Sequence, residues 1–108
     1  MGLIQKQLDA YNAKDIEGLV ACYSPTVQAY NFPDAEPMLS GVAALRTAYQ
    51  TLFAENPNLN SELINRMVEG ATVIDQEFVT GFSARPDLRA VVIYAVVDQL
   101  IQKVWFIK

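Results

Sequence analysis

The sequence contains no histidine and only one cysteine, Cys22. The absence of histidine excludes Ser-His-Asp and Cys-His catalysis, because both use an imidazole as the base. It also disfavours a zinc site, which would have to be built from one thiolate and carboxylates alone. A single cysteine excludes an internal disulfide and is typical of a cytoplasmic protein. Any proton transfer by this chain must therefore use Asp, Glu, Tyr, Lys or water.

Other signatures of function are also missing. There is no GxGxxG, P-loop or CxxC pattern and no dense group of Asp and Glu for magnesium, so no cofactor and no metal are expected. The 8 basic residues are outnumbered by 12 acidic ones and form no stripe, which disfavours nucleic acid and anionic membranes as partners. No apolar run reaches the roughly 18 residues of a transmembrane helix, and the amino-terminal residues lack the pattern of a signal peptide.

Hydrophobic residues make up 52% of the 108 positions, which predicts one folded domain over residues 1–108, with a core that could surround a small cavity. The first half carries helical periodicity. A first apolar stripe runs from Leu3 to Tyr11, and Asp15 is expected to cap a second helix whose stripe reaches Tyr23. Ser24-Pro25 is expected to end this second helix.

The order of elements predicts an α+β fold with the helices on one face of an antiparallel sheet. A short strand at Val27–Phe32 precedes a third helix, which Ser40 is expected to cap and Asn56-Pro57 to close. After this helix the pattern changes to long β segments. Four strands are expected, at Leu59–Glu69, Ala71–Phe82, Leu88–Val97 and Leu100–Lys108.

Two of these strands lack the alternation that an antiparallel sheet with one wet face requires. Ala90–Val97 and Val104–Ile107 are almost continuously apolar, so both of their faces require burial. A packed loop could cover the outer face. A second copy of the chain is the stronger interpretation, since no element is spare, and this predicts a homodimer that buries Tyr94 and Trp105 on the outer sheet face.

Three segments carry a resemblance to a known superfamily. They are Asp15–Tyr23 followed by Thr26-Val27, a helix that opens at Gly41 with Tyr49 eight residues later, and the ending Tyr94–Phe106. Together they resemble the nuclear transport factor 2-like superfamily, in its SnoaL-like and steroid Δ-isomerase-like branch. The resemblance implies a cone-shaped curved sheet wrapped round three amino-terminal helices and an apolar cavity. It implies a ligand pocket at Tyr23, Ala29, Asn31, Tyr49, Phe53, Val91, Ile93 and Phe106.

The resemblance to steroid Δ-isomerase does not extend to its reactive groups. Tyr23 and Tyr49 match two supporting tyrosines of that enzyme, although both residues are also ordinary core-filling rings. Ala29 stands at the position of the base, and Gln7 and Ile93 stand at the positions of the two oxyanion donors. Dienolate chemistry needs all three groups, so ketosteroid isomerisation is not expected.

Limonene epoxide hydrolase is similar over fewer positions. Its Asp-Arg-Asp group corresponds approximately to Val79, Glu77 and Phe106, so the arginine and both aspartates are absent. Asn31 matches an asparagine that holds water in that enzyme, although an asparagine next to Phe32-Pro33 is also a common strand-end residue. Hydrolysis of limonene oxide is therefore not expected.

Asp75 and Glu77 are the remaining candidates for proton transfer. They lie two positions apart in a predicted strand and so share a face, which the family register turns inward. Two carboxylates in an apolar cavity repel each other, and one would gain a raised pKa suited to a general acid or base. Two structural alternatives stay open: a bulge that leaves both in solvent, or pairing with Arg66 or Arg89 across the sheet.

The predicted function is binding of a small, largely apolar ligand in the cone cavity, with proton transfer of the isomerase, cyclase or hydrolase type. Glu77 or Asp75 would be the base, and Asn31 with a tyrosine would orient the substrate or water. The alternatives are a non-catalytic binding domain and a dimerisation domain whose cavity is filled. An open cavity that contains Glu77 favours the enzyme, an open and wholly apolar one favours the binding domain, and a filled one favours the dimerisation domain.

Overall fold

A computed structural model describes residues 2–108. Over this range the chain forms three helices and six strands. The helices are α1 (Leu3–Ala13), α2 (Ile16–Val20) and α3 (Val42–Glu55), and the strands are β1 (Tyr23–Asn31), β2 (Leu39–Ser40), β3 (Asn60–Glu69), β4 (Thr72–Thr80), β5 (Leu88–Val97) and β6 (Leu100–Ile107). None of these helices is long and apolar enough to cross a membrane.

The strands form one sheet in the order β2-β1-β6-β5-β4-β3. The predicted α+β class is confirmed, with one difference in the sheet. All neighbours are antiparallel except β1 and β6, which run parallel with Ala29 opposite Val104. A hairpin turn forces its strands to be antiparallel, whereas the long connection between β1 and β6 leaves their direction free, so local patterns could not predict it.

The helix ends follow the local signals in part. The Asp15 carboxylate accepts a hydrogen bond from the Gly18 N–H at 3.1 Å, which caps α2 as predicted. The helix ends at Val20, and Tyr23 already begins β1, where it lies opposite Ile101 of β6. Pairing with a distant strand has overridden the helical pattern, and β1 therefore starts earlier than the sequence indicated.

The predicted cap at Ser40 is wrong, because Ser40 belongs to the short strand β2, opposite Gln28. Gly41 precedes α3 instead, at a φ of 89° that favours glycine. The predicted turn at Asp98-Gln99 joins β5 to β6. Both residues adopt positive φ, 51° and 67°, which matches the right-handed twist of the two strands.

The two faces of the sheet differ in what covers them. The helices pack on the inner face, where β5 buries Ala90, Val92 and Tyr94. Tyr94 is only 3% exposed, so its predicted position on the outer face is wrong. Trp105 does lie on the outer face, where it is half-buried and stacks on Tyr30 at 5.6 Å. Continuous apolar strands do not reveal which residues face inward, which explains the error at Tyr94.

Gly81 begins the loop that connects β4 to β5, and a substitution there tests how closely this loop approaches the neighbouring backbone. Its φ is 85°, and a Cβ added there would lie 1.9 Å from the carbonyl oxygen of Asn58. We expect Gly81→Ala to destabilise the protein by more than about 3 kcal/mol, because it adds a backbone clash to left-handed strain. Urea unfolding measures the change.

Gly70→Ala is the matched control. Gly70 also has a positive φ, 59°, but a Cβ there would meet nothing within 4 Å. Its cost should be the left-handed strain alone, about 1–2 kcal/mol. Equal losses in the two variants would contradict the close approach of Gly81 to Asn58.

Candidate active site

A cavity of about 190 Å³ lies between the helices and the inner face of the sheet. The polar side chains of its lining are Gln7 and Tyr11 of α1, Tyr49 of α3, Glu77 of β4, and the exposed Arg85 and Lys108. Glu77 is the only carboxylate among the lining residues. Most of the wall is apolar, with contributions from Leu8, Leu52, Val79, Phe82, Leu88 and Val92.

Glu77 is buried in this wall with a single neutral partner. It is 7% exposed, and its Oε1 accepts a hydrogen bond from the Ser61 hydroxyl at 2.9 Å. Asn12 of α1 holds the main chain of Ser61 with two hydrogen bonds of 2.8 and 2.9 Å. Burial raises the pKa of Glu77 to about 7, the charge of Asp75 adds to the rise, and the Ser61 hydroxyl opposes it. Glu77 can therefore accept or donate a proton near neutral pH.

Asp75 lies next to Glu77 on the inner face but does not line this cavity. It is fully buried, and its two oxygens accept hydrogen bonds from Arg66 Nε at 2.7 Å and Nη2 at 2.8 Å. Arg66 Nη1 also donates to the Gln5 side chain at 2.9 Å. Of the two structural alternatives, the structure shows the pairing with Arg66, and Asp75 is the acid that is paired. Arg89 lies opposite Phe78 on the outer face.

A one-residue bulge in β3 brings Arg66 to Asp75. Leu63 lies opposite Glu77, yet Arg66 lies opposite Asp75, with a register shift between Leu63 and Asn65. The extra residue is Ile64. If β3 kept Ile64 but had no bulge, the register set at Leu63 would place Arg66 opposite Ile74 on the outer face, because each one-residue shift turns a side chain to the other face.

A buried polar network lies beneath the cavity. Gln7 is 4% exposed; its Nε2 donates to the Tyr23 hydroxyl at 3.1 Å, and its Oε1 accepts from the Tyr94 hydroxyl at 3.3 Å. Burial raises the pKa of Tyr23 and of Tyr94 well above 10, so both phenols stay neutral. The network ties α1 to β1 and β5, and it fixes the helix that carries Tyr11.

Tyr11 and Tyr49 supply hydrogen-bond donors to the cavity. Their rings meet edge to face, with centroids 6.0 Å apart. Burial raises the pKa of both phenols, that of Tyr49 to about 12, and the charge of Glu77 contributes to each rise. Both hydroxyls are therefore protonated near neutral pH and can donate to an oxygen atom of a bound molecule. Within residues 2–108 no group of His, Cys, Asp and Glu is arranged to hold a metal ion.

The residues predicted for the pocket divide into three groups. Tyr49 and Phe106 line the cavity together with Glu77. Tyr23, Ala29 and Phe53 are buried in the core outside the lining. Asn31 is exposed at the end of β1, and Val91 and Ile93 lie on the outer face.

On β5 the cavity is therefore lined by Ala90 and Val92, each one position before the predicted Val91 and Ile93. The apolar run of β5 carries no alternation, so only its pairing with β4 decides which residues point inward. Sequence reasoning also missed Tyr11, which shares the apolar stripe of α1 with Leu8. Its position on the core-facing side of α1 was the available signal, but it did not distinguish a cavity wall from solid core.

The model of the SnoaL-like domain family matches residues 4–104. The chain belongs to the SnoaL-like family. A search of curated proteins gave no match.

Solved structures extend this result to the fold. An uncharacterized cystatin fold protein from Novosphingobium aromaticivorans is 21% identical with a TM-score of 0.90, covering 100% of this chain and 99% of that chain. A candidate ketosteroid isomerase from Kribbella flavida is 23% identical, with a TM-score of 0.80 over 97% of this chain and 73% of that chain. An LEH-like epoxide hydrolase from Mycobacterium tuberculosis is 13% identical, with a TM-score of 0.81 over 97% and 78%. These likenesses confirm the predicted nuclear transport factor 2-like fold, and at such identities they show the fold alone.

The raised pKa of Glu77 predicts a pH-dependent stability. Because burial raises the pKa of Glu77 from 4.5 to about 7, the folded state binds this proton more tightly than the unfolded state. The resulting stabilisation is fully present below pH 4.5 and is lost as the pH rises through about 7. The loss amounts to roughly 3 kcal/mol for this shift. We expect Glu77→Gln to remove that loss and to be more stable than the wild type at pH 7. Unfolding free energies across this pH range measure it, and carboxyl-carbon NMR gives the pKa directly.

Glu62→Gln, on the exposed side of β3, is the control for loss of one carboxylate and should keep the wild-type slope. An NMR pKa for Glu77 at or below 4.5 would remove it as a candidate base.

The Arg66–Asp75 pair predicts a second effect on stability. Asp75→Asn leaves the guanidinium partly buried without its countercharge, which typically costs about 3–5 kcal/mol. The side chain of Arg66 is 22% exposed, so we expect a loss near the lower end of this range. Urea unfolding at neutral pH measures it. A loss below about 1 kcal/mol would mean that the pair is solvated like a surface ion pair.

Proposed function

We propose that this SnoaL-like protein is a proton-transfer enzyme of the isomerase, cyclase or hydrolase type, acting on a small and largely apolar substrate in the cavity. The observation that carries the proposal is Glu77, a lone carboxylate in an apolar wall with a pKa of about 7. A base with a pKa near the working pH transfers protons most efficiently. A cytoplasmic setting, expected from the single cysteine, is part of the same proposal.

Isomerisation illustrates how these residues would act. The Glu77 carboxylate takes a proton from a carbon next to a carbonyl group, and the electron pair of the broken C–H bond moves to the carbonyl oxygen. The hydroxyls of Tyr11 and Tyr49 donate hydrogen bonds to that oxygen as its charge develops. Glu77 then returns the proton to another carbon of the substrate. The carboxylate is regenerated, and no atom or electron is gained or lost.

The size of the cavity limits the substrate. A cavity of about 150 Å³ accommodates benzene, and drug-sized ligands occupy about 300–1,000 Å³. At about 190 Å³, this cavity fits one ring with a short substituent. A four-ring steroid exceeds this volume, which agrees with the expectation that the chain does not isomerise ketosteroids.

A non-catalytic binding domain is the second candidate. The mostly apolar lining supports it, as does the exposed position of Asn31, which does not line the cavity beside Glu77. A domain that only dimerises is less well supported, because it was expected to fill its cavity with its own core.

Cyclohex-3-enone is a probe of suitable size for the catalytic proposal. The enzyme in D₂O should convert it to the conjugated ketone and incorporate deuterium faster than buffer, with a rate that rises with pH through about 7. Glu77→Gln should lower the rate by about 10²–10⁴-fold, since it removes the base. Proton NMR follows both changes.

Glu62→Gln should keep the wild-type rate, and a Δ5-3-ketosteroid should not be turned over. Undiminished exchange in Glu77→Gln would overturn the assignment of the base. Binding of the ketone without exchange would leave the non-catalytic domain as the better function.

The outer face of the sheet supports a homodimer as the assembly. One row crosses five strands with apolar side chains only: Tyr30, Trp105, Ile93, Ile74 and Met67. The next row carries opposite charges on two of its strands, Lys103 on β6 and Glu69 on β3. A two-fold axis parallel to the strands and midway between β5 and β4 would bring Lys103 of one copy over Glu69 of the other and cover much of the apolar row of each copy, so a second copy fits this face.

Light scattering tests this assembly. We expect about twice the chain mass of 12.0 kDa at micromolar concentration. Ile93→Arg, at the centre of the row, should give a monomer, because it would bury an unpaired charge. Gln50→Arg, on the exposed side of α3, should leave the dimer intact. A monomeric wild type with solvent-exposed Trp105 fluorescence would exclude the dimer.

A further inference from the structure

We infer that the molecule bound in this cavity is an organic anion, with its apolar body inside and its charged group at the mouth between Arg85 and Lys108. The inference rests on the proposed function, because it names the chemical class of substrate for the same cavity. Arg85 lies in the loop between β4 and β5, and Lys108 follows β6. Both side chains are exposed and both line the cavity.

Aromatic rings of the cavity wall hold both cations at its rim. The guanidinium carbon of Arg85 lies 4.9 Å from the centre of the Phe82 ring, and the Lys108 ammonium lies 5.9 Å from that of Phe106. Phe82 and Phe106 themselves line the cavity. Contacts at these distances are attractive and restrict where a long side chain can go. These contacts favour positions of both charges beside the opening.

In the part of the chain that the structure describes, neither charge at the rim belongs to an ion pair. Within residues 2–108 the ion pairs are Arg46–Glu17 and Arg66–Asp75, and neither involves Arg85 or Lys108. Asp87, two residues after Arg85, is exposed and does not line the cavity. The chain as a whole carries a net charge of −4, so this rim is a local positive site on an acidic protein. Such a site at the mouth of an apolar cavity attracts anions.

The positions of the charges also set the orientation of the ligand. Glu77 is buried in the wall, and the two cations lie at the open side. A carboxylate that entered first would leave water and approach Glu77, whose negative form repels it. The opposite orientation keeps the carboxylate with Arg85 and Lys108 and brings apolar carbon to Glu77. The substrate that fits is an organic acid with an apolar body, whose reacting carbon lies far from its carboxylate, so that the carbon reaches Glu77 while the carboxylate stays with Arg85 and Lys108.

Three probes that differ only in charge test this inference: 3-phenylpropionate, 3-phenylpropan-1-ol and 3-phenylpropylamine. Titration calorimetry near pH 6 and at low salt limits both screening and repulsion by Glu77. Two exposed ion pairs should make the acid bind on the order of tenfold more tightly than the alcohol, and the amine should bind most weakly. The double variant Arg85→Gln with Lys108→Gln should lose this preference without weakening the alcohol.

Arg89→Gln is the matched control, because Arg89 is also exposed but lies on the outer face. It should retain the preference for the acid. Equal binding of acid and alcohol, a preference that survives the double variant, or no binding of any probe would each overturn the inference.

The outcomes for the inference and for the proposed function can be separated. A preference for the acid that depends on Arg85 and Lys108, without any proton exchange that depends on Glu77, would support the anion site and overturn the enzyme. Exchange on cyclohex-3-enone that depends on Glu77, without a preference for the acid, would support the enzyme and overturn the anion site.

Discussion

The bidentate ion pair between Arg66 and Asp75 determines the electrostatics of the inner sheet face. It engages Nε and Nη2 of the guanidinium, and Gln5 accepts from Nη1. Glu77, two residues along the same strand, is left with the Ser61 hydroxyl alone. A guanidinium at Glu77 would have lowered its pKa, whereas a neutral hydroxyl only moderates the effect of burial. One acid of the pair is thus structural, and the other is available for chemistry.

The helices supply the hydrogen-bond donors of the cavity, and the sheet supplies its acid. Tyr11 and Tyr49 approach Glu77 from α1 and α3, so the acid and the two donors come from three separate elements. The hydrogen bonds of Gln7 to Tyr23 and Tyr94 link the helical layer to the sheet below. Because the buried phenols of Tyr23 and Tyr94 are neutral, their hydrogen bonds to Gln7 persist over a wide pH range. Donors fixed in this way need little rearrangement when charge develops on a ligand.

Local signals predicted most of the fold, and non-local pairing accounts for the rest. Asp15 and the turn at Asp98-Gln99 act within a few residues, so the sequence alone located them. Alternation in β4 showed that Glu77 shares a face with Asp75, and the family resemblance turned that face inward. Tyr94 was placed on the wrong face because β5 is apolar throughout and only its pairing with β4 and β6 decides its phase. The parallel pairing of β1 with β6 had no local signal at all.

The bulge at Ile64 makes the register of β3 tolerant to the loss of a residue. Ile64 is 43% exposed, and the bulge takes it out of the pairing with β4, so that Leu63 lies opposite Glu77 and Arg66 opposite Asp75. Deleting Ile64 would give β3 a regular register with the same two pairs, and the guanidinium would stay beside Asp75. A second residue inserted at this point would turn Arg66 to the outer face unless the bulge widened to hold it. The ionisation of the cavity is therefore more sensitive to insertion in β3 than to deletion at the bulge.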